Sequence, residues 1–383
     1  MVNVSTRVIT DINSITEPAW NRLDHGDNPF LSHAFLGGLE SSGSVGPHSG
    51  WQPHHLALFE GDELAAIAPS YIKSHSHGEF VFDWAWADAY HRHGLQYYPK
   101  LLTGIPYSPV TGPRLLTRCG HPDPGILRRQ LINFARDECD REDLSSWHVN
   151  FVADDDEQVL RDSPLLRRRD WQFHWRNDGY ADFDDFLGRL RSRKRKNIRR
   201  ERRQVNETKV QLRHITGDAL QDDDLDFIHR CYLSTFRAYR NHPALNRDFF
   251  AHIATQLKEQ LIVIEASRDG APIAMALFLA GGGRLYGRYW GCEEDIPGLH
   301  FEVAYYQGIE YCIRHGLDVF ESGAQGEHKI SRGFLPTPTR SFHLIREEAF
   351  RSAISDYLLR ENGWINEYRE QLAPHDPYRR DTA

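Results

Sequence analysis

One β-hairpin pattern occurs twice in this chain of 383 residues, and this repetition constrains the possible folds more than any other feature. Each copy has two apolar, strand-like segments joined by a glycine-containing turn, Gly61-Asp62 in the first copy and Asp269-Gly270 in the second. Aligning Gly61 with Gly270 gives an offset of 209 residues, which we interpret as an internal duplication. The strand-like segments are residues 55–60, 63–72, 261–267 and 272–280.

Helix-like and strand-like segments alternate after each hairpin. This order predicts an α/β fold of layered sheets and helices rather than a helical bundle or a β-sandwich. The glycine at the end of the last of these helices, Gly316, is typical of a helix C-terminus. The predicted elements are helices at 126–142, 183–206 and 299–315 and strands at 147–152 and 285–290.

The length of the chain favours two domains, because it is about two and a half times that of a typical single domain. The boundary is predicted near an acidic segment, residues 154–157, that is followed by Pro164. We therefore expect an N-terminal domain of residues 1–165 and a C-terminal domain of residues 166–383.

Composition is typical of a folded, water-soluble protein, with 40% hydrophobic and 26% charged residues. The chain has no apolar stretch long enough for a membrane span and no signal-peptide pattern, so we expect a cytoplasmic protein. The five cysteines form no Cys-x-x-Cys pair, which argues against a zinc or redox centre. A net charge of −8 excludes a protein that coats nucleic acid over its whole surface, but it permits a local basic patch.

Residues 189–203 form such a patch, with ten lysines and arginines and a single acid, Glu201. On a helix, Arg195, Lys196, Arg199 and Arg203 fall on one side, where they could bind phosphate groups of one ligand. The alternative is a solvated helix face whose charges are partly paired with acidic segments.

The segment 320–334 follows a predicted strand and contains several glycines and charged residues. The end of a strand in a layered α/β protein is a common place for a site. Glu327 or His328 could accept a proton there, and Lys329 or Arg332 could hold an anion or polarise a carbonyl group. The alternative is a structural loop whose glycines serve tight turns only.

Alternation along the preceding strand places Tyr286, Arg288 and Trp290 on one face, a pattern that suits stacking of a sugar or base. A half-buried aromatic strand is the alternative and the more common case. No metal site is expected, because none of the histidine pairs has a third ligand at a recognised spacing. Nucleotide-binding, hydrolase and zinc-protease motifs are also absent from the sequence.

These features together resemble the FemABX-like aminoacyltransferases, in particular the FemAB-like branch linked to peptidoglycan biosynthesis or recognition. The resemblance covers nearly the whole chain. It implies two tandem acetyltransferase-type (GNAT-like) domains, each a mixed, mostly antiparallel sheet flanked by helices, which agrees with the internal duplication. The segments that carry the resemblance are 28–36, 108–115, 192–200, 299–311 and 320–334.

The resemblance implies transfer of an aminoacyl group from aminoacyl-tRNA, without a bound cofactor, to an amine on a peptidoglycan precursor or small metabolite. We expect Glu302 or Glu327 to accept the proton, with His328 as a relay. Lys329 and Arg332 are expected near the carbonyl oxygen or the donor phosphate. The residues expected to hold the acceptor are Arg195, Lys196, Asn197 and Arg199.

Two other functions are open. One is acyl-CoA-dependent N-acetyl transfer on the same fold, although the turn at 292–298, which would hold the pyrophosphate, contains three acids and one glycine. The other is a non-catalytic module that binds an anionic glycan or RNA through the basic helix.

Overall fold

The computed structural model describes residues 4–323 and 326–379, and the chain forms two compact units. The first unit contains residues up to Asp170 together with Pro338–Tyr368. The second unit contains Trp171–Thr337 together with the residues from Arg369 onward. In the described parts of the chain, no helix is both long enough and apolar enough to cross a membrane.

The strands are β1 (Val4–Ile9), β2 (Trp51–Pro53), β3 (His55–Glu60), β4 (Glu63–Ala68), β5 (Ser70–Lys73), β6 (Lys100–Thr103), β7 (Leu116–Thr117), β8 (Ser146–Asn150), β9 (Leu166–Arg176), β10 (Gln211–Thr216), β11 (Leu261–Arg268), β12 (Ala271–Gly281), β13 (Arg284–Cys292), β14 (Val319–Glu321) and β15 (Leu335–Ile345). The helices are α1 (Glu17–Trp20), α2 (His33–Ser41), α3 (Trp84–Arg92), α4 (Pro124–Arg141), α5 (Asp154–Arg161), α6 (Phe183–Arg189), α7 (Ser192–Glu207), α8 (Asp222–Ala238), α9 (Arg247–Leu257), α10 (Leu299–Phe301), α11 (Gln307–His315) and α12 (Glu348–Leu372). A π-helical turn, Glu302–Tyr306, joins α10 to α11 and is called the π turn; a 3-10 turn at Glu327–Arg332 is called the 327–332 turn.

Two sheets form the first unit. One has the order β1-β3-β4-β7 and is antiparallel. In the other, β2, β5, β6, β8 and the C-terminal part of β15 are neighbours, and only β6 and β8 are parallel. The chain crosses between the sheets at Pro69, which has no amide hydrogen to continue a ladder. The single strand predicted at 63–72 is therefore wrong, because β4 and β5 belong to different sheets.

Helix α4 covers the hairpin of the first unit with an apolar face. Leu127, Leu131 and Ala135 are spaced four residues apart, as one helix face requires, and all three are buried. They join a core cluster that includes Leu56 and Trp147 from the strands. This burial of apolar surface is the main stabilising contribution to the first unit.

A charged network is also buried in the first unit. The ammonium group of Lys100, which has no exposed surface, donates to Ser76 Oγ and to Glu79 Oε2, each at 2.9 Å, and to the carboxylate of Asp83. The hydroxyl of Tyr97 donates to the same Asp83 carboxylate. Lys73 is also buried and lies 4.0 Å from Glu79, so two bases and two acids share this network, and their attraction offsets part of the cost of burying them.

The second unit contains one sheet in the order β10-β11-β12-β13-β14-β9. Neighbouring strands are antiparallel except β13 and β14, which pair in parallel over three residues, Arg284–Tyr286 with Val319–Glu321. Strand β13 continues for six residues beyond the last of these pairs. The 327–332 turn follows β14, at the end of the strand.

Both units use the same strand arrangement, which supports the duplication. Each has a hairpin, then an antiparallel strand (β6, which pairs with β5, or β13, which pairs with the hairpin strand β12), a helix, and a parallel strand (β8 or β14). Both hairpins have a two-residue turn and a bulge, between Leu58 and Phe59 and between Ala266 and Ser267. These features coincide at an offset of 208, so the predicted offset of 209 is wrong by one residue. The cause is that glycine is the first turn residue in one hairpin and the second in the other.

Sheets flanked by helices confirm the predicted α/β class, but two details differ from the sequence analysis. The helix predicted at 183–206 is two helices, α6 and α7, because Leu190 adopts an extended conformation and forms a β-bridge with Tyr378. Residues 338–368, expected in a domain of residues 166–383, pack with the first unit. They do so because β15 pairs with β8 and Ile354 and Leu358 join a cluster around Trp86 and Tyr90.

Gly291 in β13 allows α8 to lie directly on the strand that leads to the site. A Cβ atom at Gly291 would lie 2.1 Å from the carbonyl oxygen of Cys231 in α8. We therefore expect Gly291→Ala to lower the free energy of unfolding by about 2–3 kcal/mol, measured by urea denaturation. The control is Gly188→Ala in α6, where nothing lies within 4 Å of the added atom and stability should rise slightly. Equal stability of the two variants would contradict this account of the packing.

Candidate functional site

Two segments singled out in the sequence, α7 and the 327–332 turn, lie in the second unit and contact each other. The sequence analysis expected chemistry from both, and the structure brings them together within one unit. The π turn also contacts α7. Residues 324 and 325, which belong to the predicted segment 320–334, lie outside the described residues.

A buried arginine ties the 327–332 turn to α7. The side chain of Arg332 is 8% exposed, and its Nη2 donates to both carboxylate oxygens of Glu201, at 3.0 and 3.1 Å. Its Nε donates to the hydroxyl of Tyr306 at 3.1 Å, and that hydroxyl donates to Glu201. The guanidinium also lies 3.4 Å from the centre of the Phe301 ring. The donors expected to bind an anion are thus used within the protein, which makes Arg332 a positioning residue.

Lys329 lies beneath the same turn with an unusual environment. Only 2% of the residue is exposed, and its ammonium group donates to the carbonyl oxygens of Ser322 at 2.8 Å and Gly323 at 2.9 Å. No carboxylate of the described residues forms an ion pair with it. Burial without such a partner lowers the pKa of Lys329 to about 7. A buried lysine with a lowered pKa near the end of a strand is typical of a functional site.

His328 is an exposed titratable group of the turn. Its Nε2 lies 3.3 Å from the hydroxyl of Tyr305. The pKa of His328 is lowered first by partial burial and then by the positive charges of Arg332 and Lys329. The imidazole is therefore mostly neutral at neutral pH and able to accept a proton. Glu327, the first residue of the turn, is also exposed.

An aromatic surface adjoins His328. His300 contacts the rings of Trp290, at 5.0 Å between centroids, and Tyr305, at 5.3 Å, while Phe301 lies 6.0 Å from His328. Burial lowers the pKa of His300 to about 4, so this ring is neutral at physiological pH. Neutral, flat rings of this kind offer a stacking surface for a base or an apolar group.

Glu302, expected as a proton acceptor, is held in an ion pair. It is 2% exposed, and Arg202 of α7 donates to its two oxygens at 2.9 and 3.0 Å. Gln307 donates to the same carboxylate at 2.8 Å. A buried carboxylate with these three donors fixes the π turn against α7, and this geometry disfavours proton transfer through Glu302.

The remaining cations of α7 are distributed around its first turns. Arg193, Lys194, Arg195, Lys196 and Arg200 make no side-chain ion pair among the described residues. Their charges are therefore not compensated by carboxylates of the described residues, and binding of phosphate by this helix stays a prediction.

Two of the predicted α7 ligands point to different sides. Arg199 pairs with Asp184 at 2.8 Å and, with Arg202 and Arg203, lines a groove of about 280 Å³. Asn197 is exposed and lies about 160° around the helix from Arg199, away from that groove. Arg199 and Asn197 therefore do not face one ligand from the same side.

The bulge in β13 changes which aromatic residues share a face. Leu279 pairs with Tyr286, Leu277 with Tyr289 and Ala276 with Trp290, which leaves Arg288 as the extra residue. The alternation shifts by one at that point. The expectation that Tyr286, Arg288 and Trp290 share one face is therefore wrong, since Tyr286 and Trp290 are on opposite faces. Trp290 lies on the His300 side, whereas Tyr289 contacts Tyr232 of α8.

Two of the three acids in the turn at 292–298 are paired with arginines in the structure. Arg230 donates to Glu293 at 2.8 Å, and Arg268 donates to Glu294. Gly298, with a φ of +88°, leads into α10. Only Asp295 of the three acids lacks an ion pair among the described residues.

Sequence reasoning missed Glu201, Arg202 and Tyr306 as parts of the site. Glu201 had a recognisable signal, because it is the only acid in a run of ten cations and such an acid often turns inward to meet a buried base. Tyr306 had none, because its position depends on the π turn. Within the described residues, no group of three or more histidine, cysteine or acidic side chains is arranged to hold a metal ion.

Comparison with family models matches residues 11–380 to the FemAB-like family, described as peptidoglycan biosynthesis/recognition. The chain belongs to the FemAB-like family. No curated protein matches this FemAB-like chain significantly.

Three solved structures share the fold of this FemAB-like protein at low sequence identity. FemX is 11% identical with a TM-score of 0.55, over 92% of this chain and all of that one. The C-terminal domain of a putative lysylphosphatidylglycerol synthetase from Agrobacterium fabrum is 9% identical (TM-score 0.52; 77% and 85% covered). L-PGS from Bacillus licheniformis is 9% identical (TM-score 0.50; 82% and 91% covered). At these identities the likeness concerns the fold.

Family membership and fold agree with the resemblance inferred from the sequence. The FemAB-like family is confirmed, and so is the α/β fold class that it implied. Together they place this protein in a family described as peptidoglycan biosynthesis/recognition, on a fold that it shares with FemX.

The lowered pKa of Lys329 predicts a pH dependence of stability. The unfolded chain, where lysine has its ordinary pKa of 10.5, binds more protons than the folded protein between pH 7 and 10.5, so Lys329 favours folding increasingly as pH rises. We therefore expect wild type to become more stable relative to Lys329→Met across this window. The difference between their free energies of unfolding should rise by up to about 1.4 kcal/mol per pH unit. Chemical denaturation at pH 6.5, 8 and 9.5 measures it.

The control is Lys209→Met, at an exposed position in the same unit, whose difference from wild type should stay constant with pH. A constant difference for Lys329→Met as well would mean that Lys329 is not buried as described.

Proposed function

We propose that this protein transfers an aminoacyl group from aminoacyl-tRNA to an amine on a peptidoglycan precursor or a small metabolite. The observation that carries the proposal is the exposed, neutral His328 on a turn tied by Arg332 to the cationic helix α7. An acid–base group and an anion-binding surface thus occur on adjoining elements of one unit. Because aminoacyl-tRNA is a cytoplasmic molecule, the proposal implies a reaction in the cytoplasm.

Aminoacyl esters are already activated, so no covalent intermediate on the enzyme is required. The amine nitrogen of the acceptor forms a bond to the ester carbonyl carbon, and the bond from that carbon to the ribose oxygen breaks. The amine loses a proton, and the departing ribose hydroxyl gains one. The protein must hold the two substrates in line and accept and return this proton.

His328 is the group we assign to proton transfer. Its side chain is accessible, and partial burial together with the charges of Arg332 and Lys329 lowers its pKa and favours the neutral, accepting form. The Tyr305 hydroxyl, 3.3 Å from Nε2, orients the ring. Glu327, next to His328 and also exposed, is the second candidate for the proton. Glu302 is assigned to holding the π turn, because Arg202 engages both of its oxygens.

Donor binding, rather than the acceptor binding expected from the sequence, is assigned to the cations of α7. Arg193, Lys194, Arg195, Lys196 and Arg200 have no carboxylate partner in the described residues, so their charge is available to phosphates. Trp290 and His300 supply a neutral stacking surface beside His328. Phosphate contacts and stacking are the interactions by which proteins bind a single-stranded RNA end.

Acyl-CoA-dependent transfer is the second candidate, and the turn at 292–298 favours it. Two of its acids are neutralised by Arg230 and Arg268, so the start of α10 repels a pyrophosphate less than the sequence suggests. A thermal-shift comparison separates the donors, since a ligand that binds the native state raises its melting temperature. Stabilisation by micromolar acetyl-CoA and not by charged tRNA would favour this candidate.

The proposal predicts a new amide when the protein is incubated with charged total tRNA and candidate amines, detected by mass spectrometry. His328→Gln should lower the single-turnover rate about 100-fold or more, because it removes the proton acceptor. His242→Gln, at an exposed position of the same unit, is the control and should retain the wild-type rate. Salt-dependent tRNA binding without any product would instead support a binding module and reject the transferase.

A second prediction concerns the acid limb of the pH–rate profile. Loss of the Lys329 charge should raise the pKa of His328 toward its ordinary 6.5, so the acid limb of Lys329→Met should move to higher pH. Lys209→Met provides the control. A profile that falls in rate without moving along the pH axis would assign Lys329 to structure alone.

A further inference from the structure

The first unit contains a groove of about 610 Å³ that the proposed reaction does not use. It is lined by residues from α3, α4, α12 and the chain around Arg346. Its volume is within the range of small-ligand sites, about 300–1,000 Å³.

A buried hydroxyl lines this groove without a hydrogen-bond partner. Tyr90 is 2% exposed, and its hydroxyl makes no hydrogen bond with any described residue. The ring is fixed by contacts with Phe350, at 4.1 Å between centroids, and Tyr97, at 5.2 Å. Burial and the negative charge of Glu347, which lines the same groove, raise the pKa of Tyr90 to about 12. A buried polar group of this kind calls for a partner from outside the protein.

Charges of both signs line the groove, and some are already paired. Arg346 lies between Asp140 and Asp143, at 3.0 Å from each. Arg351 donates to the carbonyl oxygens of Ile345 at 3.0 Å and Arg346 at 3.3 Å.

Two exposed charges of opposite sign remain. Arg136 and Glu347 line the groove and form no ion pair among the described residues. A guanidinium and a carboxylate are thus available to a ligand.

The balance of charge selects the class of ligand. Three arginines and three carboxylates line the groove, so their formal charges cancel. A polyanion would meet Asp140, Asp143 and Glu347, and a polycation would meet the arginines. A molecule with one positive and one negative group satisfies both kinds of lining residue.

We propose that this groove binds a short zwitterionic peptide, with its ammonium group at Glu347, its carboxylate at Arg136 and a backbone group hydrogen-bonded to the Tyr90 hydroxyl. The site goes beyond the transfer reaction and is tested without it. The peptide is defined by its two termini, so side chains are secondary for recognition.

Isothermal titration calorimetry with trialanine tests the proposal, because this peptide has both termini and no reactive side chain. N-acetyl-trialanine lacks the ammonium group, and trialanine amide lacks the carboxylate. We expect trialanine to bind and each blocked peptide to bind at least tenfold more weakly. No binding of trialanine, or equal binding of all three peptides, would overturn the proposal.

Variants assign the two termini. Glu347→Gln should weaken binding of trialanine but leave binding of N-acetyl-trialanine unchanged. Arg136→Gln should weaken binding of trialanine but leave binding of trialanine amide unchanged. Tyr90→Phe, which keeps the ring packing, should weaken all three peptides several-fold. Matched controls are Glu348→Gln and Arg129→Gln, exposed neighbours that do not line the groove and should bind like wild type. Losses of equal size in the variants and their controls would show binding elsewhere and reject the site.

Discussion

The ion pair between Arg332 and Glu201 is the interaction on which the site of the second unit depends. Without it, the turn that carries His328 and Lys329 would have no polar link to α7, and the buried guanidinium would lose both carboxylate oxygens. The same arginine takes part in the Phe301 and Tyr306 contacts, so one side chain sets the turn, the helix and the π turn. The run of cations at 189–203 thus also contains the acid, Glu201, that holds the site together.

The two units show how differently one strand arrangement can be used. In the first unit, Lys100 is paired with the carboxylates of Glu79 and Asp83, and this network, which also includes the buried Lys73, is directed inward. In the second unit, Lys329 is buried without an acid, and its charge acts on the exposed His328. Compensated charge stabilises a fold, whereas uncompensated charge shifts the pKa of neighbouring groups and is suited to chemistry.

Much of the fold could be predicted from the sequence, because it depends on local patterns. The hairpins around Gly61 and Gly270 and the helix that ends at Gly316 are written in turn residues and apolar periodicity. The break at Leu190 could not be predicted, because it depends on a bridge to Tyr378, far along the chain. The segment 338–368 was misplaced for the same reason.

The sequence predicted the location of the site better than the roles of its individual residues. The segments around Arg199 and Lys329 were found by charge density and glycine content, which are visible in the sequence. The role of Glu302 depends on its ion pair with Arg202. The sheet face on which Trp290 lies depends on a bulge at Arg288. Neither feature is encoded in the local sequence. Tertiary contacts therefore decide which of several candidate groups is available for chemistry.

The π turn at Glu302–Tyr306 has a consequence for how this site can change. A π turn holds one residue more than the α-helix it interrupts, and each residue of an α-helix turns the chain by about 100°. Deletion of a single residue here would restore a regular α-helix. Tyr305 and Tyr306 would then rotate away from His328 and Arg332, although none of these contacting residues would itself be changed. The helical register set by the extra residue, rather than the identity of the residues, holds the two tyrosines in place.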